Sequence, residues 1–398
     1  MPRRPVYLDY AAATPADPRV IEAMRRCLCA EGCFGNPHAK DHVYGWEAAE
    51  AVEQAREQVA DLIGASPLEI VFTSGATESN NLAILGLARG LRLRGDPRRH
   101  LITSAIEHKA VLEACARLEE DGYTVTYLKP HPDGSIDVPL LEEALTEDTF
   151  LVSIAQANSV LGTVSDVHAL ADLCFARGIY FHTDTAQSAG YIRTDFDHSH
   201  VSMASLTSEK ICGPKGVGAL YLQRAQDLPL APEIMGGGQE RGLRGGTVPT
   251  HQAAGMGEAF AIMRREGAAD AARIGTLRQR LEQGLEGITG IHFNGCRTSR
   301  VPGILSVSFE GVDGHMLLPS LPGIAASTGS ACSSSDLKPS YILKAIGLGD
   351  SLARASLRLS LGRFTTAAEI ETALAEICLV VPKLQAAGSM WDVKSGDK

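Results

Sequence analysis

The chain has no basic excess, no long apolar run, no internal repeat and no low-complexity tract, and each absence removes a class of function. Lys and Arg total 37 against 47 Asp and Glu, a formal net charge of -10. A protein that grips nucleic acid by itself normally carries a basic surplus, so no direct nucleic-acid contact is expected. The opening Met-Pro-Arg-Arg-Pro is basic, but Tyr7, Asp9 and Tyr10 interrupt any apolar core of a secretion signal. No stretch approaches the length of a membrane span, so no membrane contact is expected. Cys27, Cys29 and Cys33 lack zinc-ligand spacing, no metal is expected, and the ordinary reading is small apolar residues, the first two in a helical stretch. Nine cysteines, an odd number without an export signal, point to reduced thiols and a cytoplasmic location.

What is present is an ordinary globular composition, 44% hydrophobic and 21% charged over 398 residues. That length calls for one large domain and a smaller one. Short β-rich runs at 70–73, 101–104, 125–128, 150–155, 179–184, 203–206 and 218–222 alternate with helical patterns at 78–89, 109–120 and 167–177. Such alternation predicts an α/β fold with a mainly parallel central sheet sandwiched by helices. Asp17-Pro18 opens a helix toward residue 30, and an amphipathic helix at 46–63 stops at Gly64. An Ala-rich helix at about 251–285 connects into a smaller α+β domain with strands at 304–309 and 356–360 and a closing helix from 367. The expected division is 15–258 for the large domain, and 1–14 with 259–398 for the small one.

Four segments carry candidate chemistry. In Phe72-Thr73-Ser74-Gly75-Ala76-Thr77-Glu78 a strand passes through a small-residue turn into a helix, which makes either an anion site or a simple N-cap. Asp184 closes an apolar strand, where parallel sheets place ligands; it could hold a protonated ring nitrogen or merely cap a helix. Lys210 follows a strand and precedes a Gly-Pro turn, well placed for Schiff-base work, though most lysines are solvated surface residues. Cys332 stands in Ser327-Thr328-Gly329-Ser330-Ala331-Cys332-Ser333-Ser334-Ser335, a run too small to fill a core, so a loop-borne reactive thiol is favoured over an inert structural one.

In combination with Leu8-Asp9-Tyr10, Phe34-Gly35-Asn36-Pro37, Glu107-His108-Lys109, Glu240-Arg241-Gly242 and Arg358-Leu359-Ser360-Leu361-Gly362-Arg363-Phe364, these segments make a chain that closely resembles the cysteine desulfurases. Those are fold type I pyridoxal-phosphate enzymes, and the likeness is to their branch with a long catalytic-cysteine loop. The resemblance runs from about Tyr7 to Phe364 and implies pyridoxal 5'-phosphate as cofactor and L-cysteine as substrate. It implies that Lys210 makes the Schiff base, Asp184 pairs with the ring nitrogen, Gln187 bonds the ring hydroxyl, and His108 stacks on the ring and moves protons. Ala76, Thr77 and Thr207 would contact the phosphate, with Thr247 reaching it from the other subunit of a homodimer. Arg358 would clamp the substrate carboxylate, with Asn158 and Asn36 as further substrate contacts and Asn158 also near the ring. Cys332 would take the sulfur as a persulfide, leaving alanine, and pass it to an acceptor protein serving iron–sulfur assembly, tRNA thiolation or DNA phosphorothioation.

Four positions depart from the family. Glu209 stands where a phosphate-binding histidine is usual, and a carboxylate there repels a dianion unless it is protonated, turned away or paired. Ser159 and Val160 replace an Asn and a Glu, and Gly245 replaces a common serine. The rival readings are another lyase on the same fold, such as a selenocysteine lyase, or an aminotransferase, which needs no Cys332. A partner-binding scaffold without catalysis is the rival of another class, and only Glu209 favours it.

Overall fold

The structure is a computed structural model and describes residues 4–192, 194–328 and 339–395. Its strands are β1 (Val6–Tyr7), β2 (Ile70–Thr73), β3 (His100–Ser104), β4 (Thr124–Leu128), β5 (Thr149–Ser153), β6 (Tyr180–Asp184), β7 (Met203–Thr207), β8 (Gly218–Leu222), β9 (Ile291–Asn294), β10 (Ile304–Phe309), β11 (Ile324–Ala325) and β12 (Ser356–Ser360). Seven of them form one sheet in the order β2-β8-β7-β6-β5-β3-β4, with β8 antiparallel to both neighbours and every other pair parallel. The fold is therefore the expected α/β arrangement around a mainly parallel sheet.

The central strands are apolar on both faces because helices cover both. Leu101 and Leu151 face one core with Leu82, Val111 and Cys115. Ile102 and Val152 face the other with Phe181, Phe260 and the Val43–Ile63 helix. This period-2 division of a continuous apolar run is what a doubly covered parallel sheet requires. The edge strand β2 is capped by side chains: Glu240 accepts from the Phe72 amide at 2.7 Å, and Arg56 and Arg241 donate to the Ile70 carbonyl. An edge so occupied cannot template pairing with another chain.

The helix Thr250–Leu285 runs 36 residues, about 54 Å. Its first half gives Ala253, Met256 and Phe260 to the core beside the large sheet. Its second half gives Ile274, Leu281 and Leu285 to a separate core built on the antiparallel sheet β12-β10-β9, the parallel pair β1-β11 and the closing helix Ala367–Ser395. The first residues, Val6 and Leu8, belong to this second core.

Local boundaries differ from the sequence reading for physical reasons. The strand expected to reach 155 ends at Ser153, and the Ala155 amide is claimed by the Glu107 carboxylate at 3.0 Å. The helix expected from 78 starts at Ala76 and runs through a π-turn, Leu82–Gly86, to Leu93. The helix from Pro18 stops at Arg26 instead of continuing toward 30. The turn after it brings Cys33 back, its amide donating to Arg26 at 3.1 Å, and Cys27 and Cys33 form a disulfide with Cα atoms 4.5 Å apart. This corrects the expectation of reduced thiols at that pair. Cys29, Cys115, Cys174, Cys212, Cys296 and Cys378 are free.

Candidate active site

A cavity of about 380 Å³ opens at the C-terminal ends of the parallel strands, the position where open α/β sheets hold ligands. Ala76, Thr77, His108, Asn158, Asp184, Gln187, Thr207, Lys210 and Arg358 all line it, together with Glu209. Asn36 does not reach it. That residue is exposed, and its Oδ1 accepts from the His38 amide at 3.0 Å to shape a surface turn. Thr247 is exposed outside the cavity of its own chain. Cys332 lies outside the described residues.

Lys210 follows β7, and its Nζ donates to the Ala12 carbonyl at 2.5 Å and pairs with Glu209 Oε1 at 3.0 Å. The carboxylate of Glu209 is thus partnered by the cation next to it. Gln187 donates to the Ala11 carbonyl at 2.9 Å, and Thr14 holds the Glu209 carbonyl at 2.6 Å. The N-terminal turn from Asp9 to Thr14 therefore braces the amine side of the cavity.

At the end of β6, Asp184 is almost fully buried. Its Oδ1 accepts from the Ala186 amide at 2.9 Å and its Oδ2 from Asn80 Nδ2 at 2.8 Å. Asn80 is itself buried, and its Oδ1 has no hydrogen-bond partner among the described residues. Sequence reasoning missed Asn80. The available signal was its spacing, one helical turn beyond Ala76 on the same face.

Behind the cavity, Glu107 is 2% exposed. Ser104 Oγ donates to it at 2.6 Å and the Ala155 amide at 3.0 Å. Burial outweighs both donors and, with the nearby Asp184 charge, pushes its carboxyl up to about 7. His108 caps the helix Lys109–Glu120, its Nδ1 accepting from the Ala110 amide at 3.1 Å, so a neutral ring carries its proton on Nε2. His182, deeper in β6, lies between the Ser153 and Ser205 hydroxyls, and burial lowers it to about 3.

The opposite end is an anion-accepting turn. Gly75 adopts a φ of 151° just before the helix that starts at Ala76, and Gly218 in β8 packs against it so closely that a Cβ there would stand 2.6 Å from the Gly75 Cα. Glu78 accepts from the Ser74 amide at 2.7 Å and from Arg244 at 3.0 Å, fixing the turn to the Gly-rich segment. Gly245 lies against Gly236 at a distance that leaves a Cβ only 2.6 Å from its Cα, which accounts for the missing serine in this chain.

Arg358, on β12, is buried; its Nη2 pairs with Asp9 Oδ1 at 2.8 Å and its Nη1 donates to the Ser159 carbonyl at 3.1 Å. Asn158 spends its side chain on the neighbouring loop, donating to the Ile106 carbonyl and accepting from the amides of Val160 and Leu161. Val160 is packed in an apolar cluster with Ile106, Leu161, Ile342 and Leu343. The two departures at 159 and 160 thus leave a backbone carbonyl and an apolar contact where polar side chains are usual.

The donor set fits a small aromatic phosphate carrying an aldehyde: a primary amine, a carboxylate for a ring nitrogen, a small-residue turn at a helix start for the phosphate, and a volume in the range of small-molecule sites. A model of the class-V aminotransferases matches residues 6–373. The chain belongs to the class-V aminotransferase family. It is 50% identical to cysteine desulfurase IscS of Tolumonas auensis over 98% of this chain and 96% of that one. A solved NifS-like protein superposes with a TM-score of 0.88 at 35% identity, covering 96% of this chain and 100% of its own. SspA in complex with cysteine gives 0.80 at 40% identity, covering 90% and 99%. DndA from Streptomyces lividans gives 0.76 at 41% identity, covering 89% and 99%.

Proposed function

We propose that the chain is a pyridoxal-phosphate-dependent cysteine desulfurase that moves sulfur from L-cysteine to Cys332. The observation that carries this is the convergence of Lys210, Asp184, the Ser74–Thr77 turn and Arg358 on one cavity. The chain flanking Cys332 is also moored at its rim. Ser327 exchanges backbone hydrogen bonds with Arg358, and the Tyr341 hydroxyl donates to the Glu107 carbonyl at 2.6 Å.

When bound, the cofactor supplies an electron sink for a carbanion at the substrate Cα. Lys210 would provide the amine that holds it and would take the Cα proton, and Asp184 would pair with the ring nitrogen. Gln187 and His108 would flank the ring, and Ala76, Thr77 and Thr207 would hold the phosphate. Arg358 grips the substrate carboxylate as a charge-assisted fork, beside Asn158. The Cys332 thiolate attacks the substrate sulfur: a new S–S bond forms, the C–S bond breaks, its electron pair stays on the substrate carbon, and alanine leaves after protonation. His108 Nε2 is the nearby group for proton traffic.

The sulfur then passes to an acceptor protein, since a chain of net charge -10 is a poor carrier to a polyanion. We place the enzyme in the cytoplasm; no helix among the described residues is long and apolar enough to cross a membrane. We assign a homodimer, supported by Thr247 exposed outside its own cavity and by Phe34, Tyr44 and Trp46 all half-exposed or more within thirteen residues. Changing Cys332 to Ser should abolish sulfur release while the yellow cofactor chromophore remains. Sulfur release undiminished in that variant would refute the persulfide role, and a colourless protein that cannot be reconstituted would favour the scaffold.

A further inference from the structure

The guanidinium of Arg358 has five N–H bonds in a fixed fork. One is taken by Asp9 Oδ1 at 2.8 Å and one by the Ser159 carbonyl at 3.1 Å. The Nε is buried and has no hydrogen-bond partner among the described residues. The arginine also lines the cavity, so donors remain for an incoming acceptor. Asp9 is itself fixed. Its backbone bridges to Ser360, and its carbonyl accepts from the Tyr7 hydroxyl at 3.1 Å and the Ala12 amide at 3.0 Å. Its carboxylate is the sole ionic partner of Arg358 among the described residues. Ser159 offers a carbonyl, which cannot neutralise the charge.

We infer that Asp9 is a positioning residue that aims Arg358 at the substrate carboxylate, a role that rests on Arg358 being the carboxylate clamp. Asp9 fixes the rotation of the guanidinium through its contact with Nη2, and it supplies the charge that lets a buried arginine wait without an anion. The N-terminal turn then sets specificity for an α-amino acid over an amine lacking the carboxylate. Its carboxylate does not compete with substrate, because the two bind different N–H bonds of the same fork.

The test uses cofactor-loaded Asp9→Asn, Asp9→Ala and Asp9→Glu proteins. Binding of L-cysteine and of 2-aminoethanethiol, which has the same amine and thiol but no carboxylate, is followed through cofactor absorbance. The expected result is a loss of cysteine affinity of roughly tenfold in Asp9→Asn and more in Asp9→Ala, the worth of a charge-assisted contact. KM should rise while kcat at saturation holds within about twofold. Asp9→Glu should recover part of the affinity. Binding of 2-aminoethanethiol and the resting spectrum should not move. Equal losses for both ligands would show a merely structural role and overturn the proposal, as would tighter cysteine binding in Asp9→Asn. An Arg358→Lys protein separates the two layers. If it weakens cysteine while Asp9→Asn does not, the clamp stands and Asp9 has no part in it. If it binds cysteine like the wild type, the clamp fails and the role of Asp9 fails with it.

Discussion

Replacing Glu107 with Gln tests the electrostatics behind the cavity without changing its shape. Gln is the neutral isostere of the protonated acid. Its Oε1 can accept from the Ala155 amide and its Nε2 can donate to Ser104 Oγ, preserving both contacts of the native side chain. The native carboxyl is pushed from 4.5 to about 7 by burial. Because the folded chain then holds a proton that the unfolded chain has released, stability falls as pH rises from about 4.5 to about 7 and is flat beyond. At roughly 1.4 kcal/mol per unit the difference amounts to about 3 kcal/mol. Spread over the unfolding entropy of a chain this long, that is about 4 °C in the thermal midpoint. The assay is a pair of melting curves for wild type and Glu107→Gln at matched concentration from pH 5 to pH 8. The variant should gain on the wild type up to about pH 7 and hold its lead from there to pH 8. His182, which burial lowers to about 3, makes both proteins less stable below pH 6.5, and it cancels in the comparison. A difference that stays constant with pH, or that shrinks as pH rises, would refute the argument.

Three other perturbations follow from single contacts. Glu209→His removes the carboxylate beside Lys210 and restores a phosphate-binding ring, and cofactor loss on dialysis should slow by about three- to tenfold, in line with one charge-assisted hydrogen bond; unchanged or faster loss would count against it. Gly218→Ala puts a methyl within 2.6 Å of the Gly75 Cα, so cofactor affinity should fall by about tenfold and stability by about 1–3 kcal/mol, and an unaltered absorbance titration would show that the anion turn tolerates the shift. Glu240→Ala leaves Arg56 buried without its bidentate partner at 2.8 Å and strips the cap from the Phe72 amide, which should cost about 3–5 kcal/mol in chemical denaturation; a loss below 1 kcal/mol would mean that water replaces the carboxylate.

Much of the fold was readable because the central strands are short, fully buried apolar runs bounded by turn residues, and burial on both faces leaves no alternative reading for them. Lys210 and Asp184 stood out as candidates for a related reason, since each follows or closes such a run and the ends of parallel strands are where ligands sit, whereas His108 came only through the resemblance. The two-residue strands β1 and β11 were not, since two residues carry no periodicity. The Cys27–Cys33 bond was hidden by a helical pattern that continues past the true helix end. Asn36 was carried over by likeness of its motif, yet its side chain closes a turn at the surface.

The residues that stayed hidden share a physical cause. Asn80 meets Asp184 across 104 residues, Lys210 meets Ala12 across 198, and Arg358 meets Asp9 across 349. Local propensity and hydrophobic period fix which face a residue presents, but they are silent on which distant face it meets. The departures at 159, 160 and 209 show the same limit from the other side. On the sequence each reads as a lost polar group. In the folded chain Ser159 serves Arg358 through its backbone, Val160 joins the apolar cluster that carries Ile342 and Leu343, and Glu209 finds its counter-charge in the neighbouring Lys210. A site can therefore keep its charges balanced while its side chains change, provided that the backbone turns which meet there, Asp9–Thr14 and Asn158–Gly162, stay in register with the sheet.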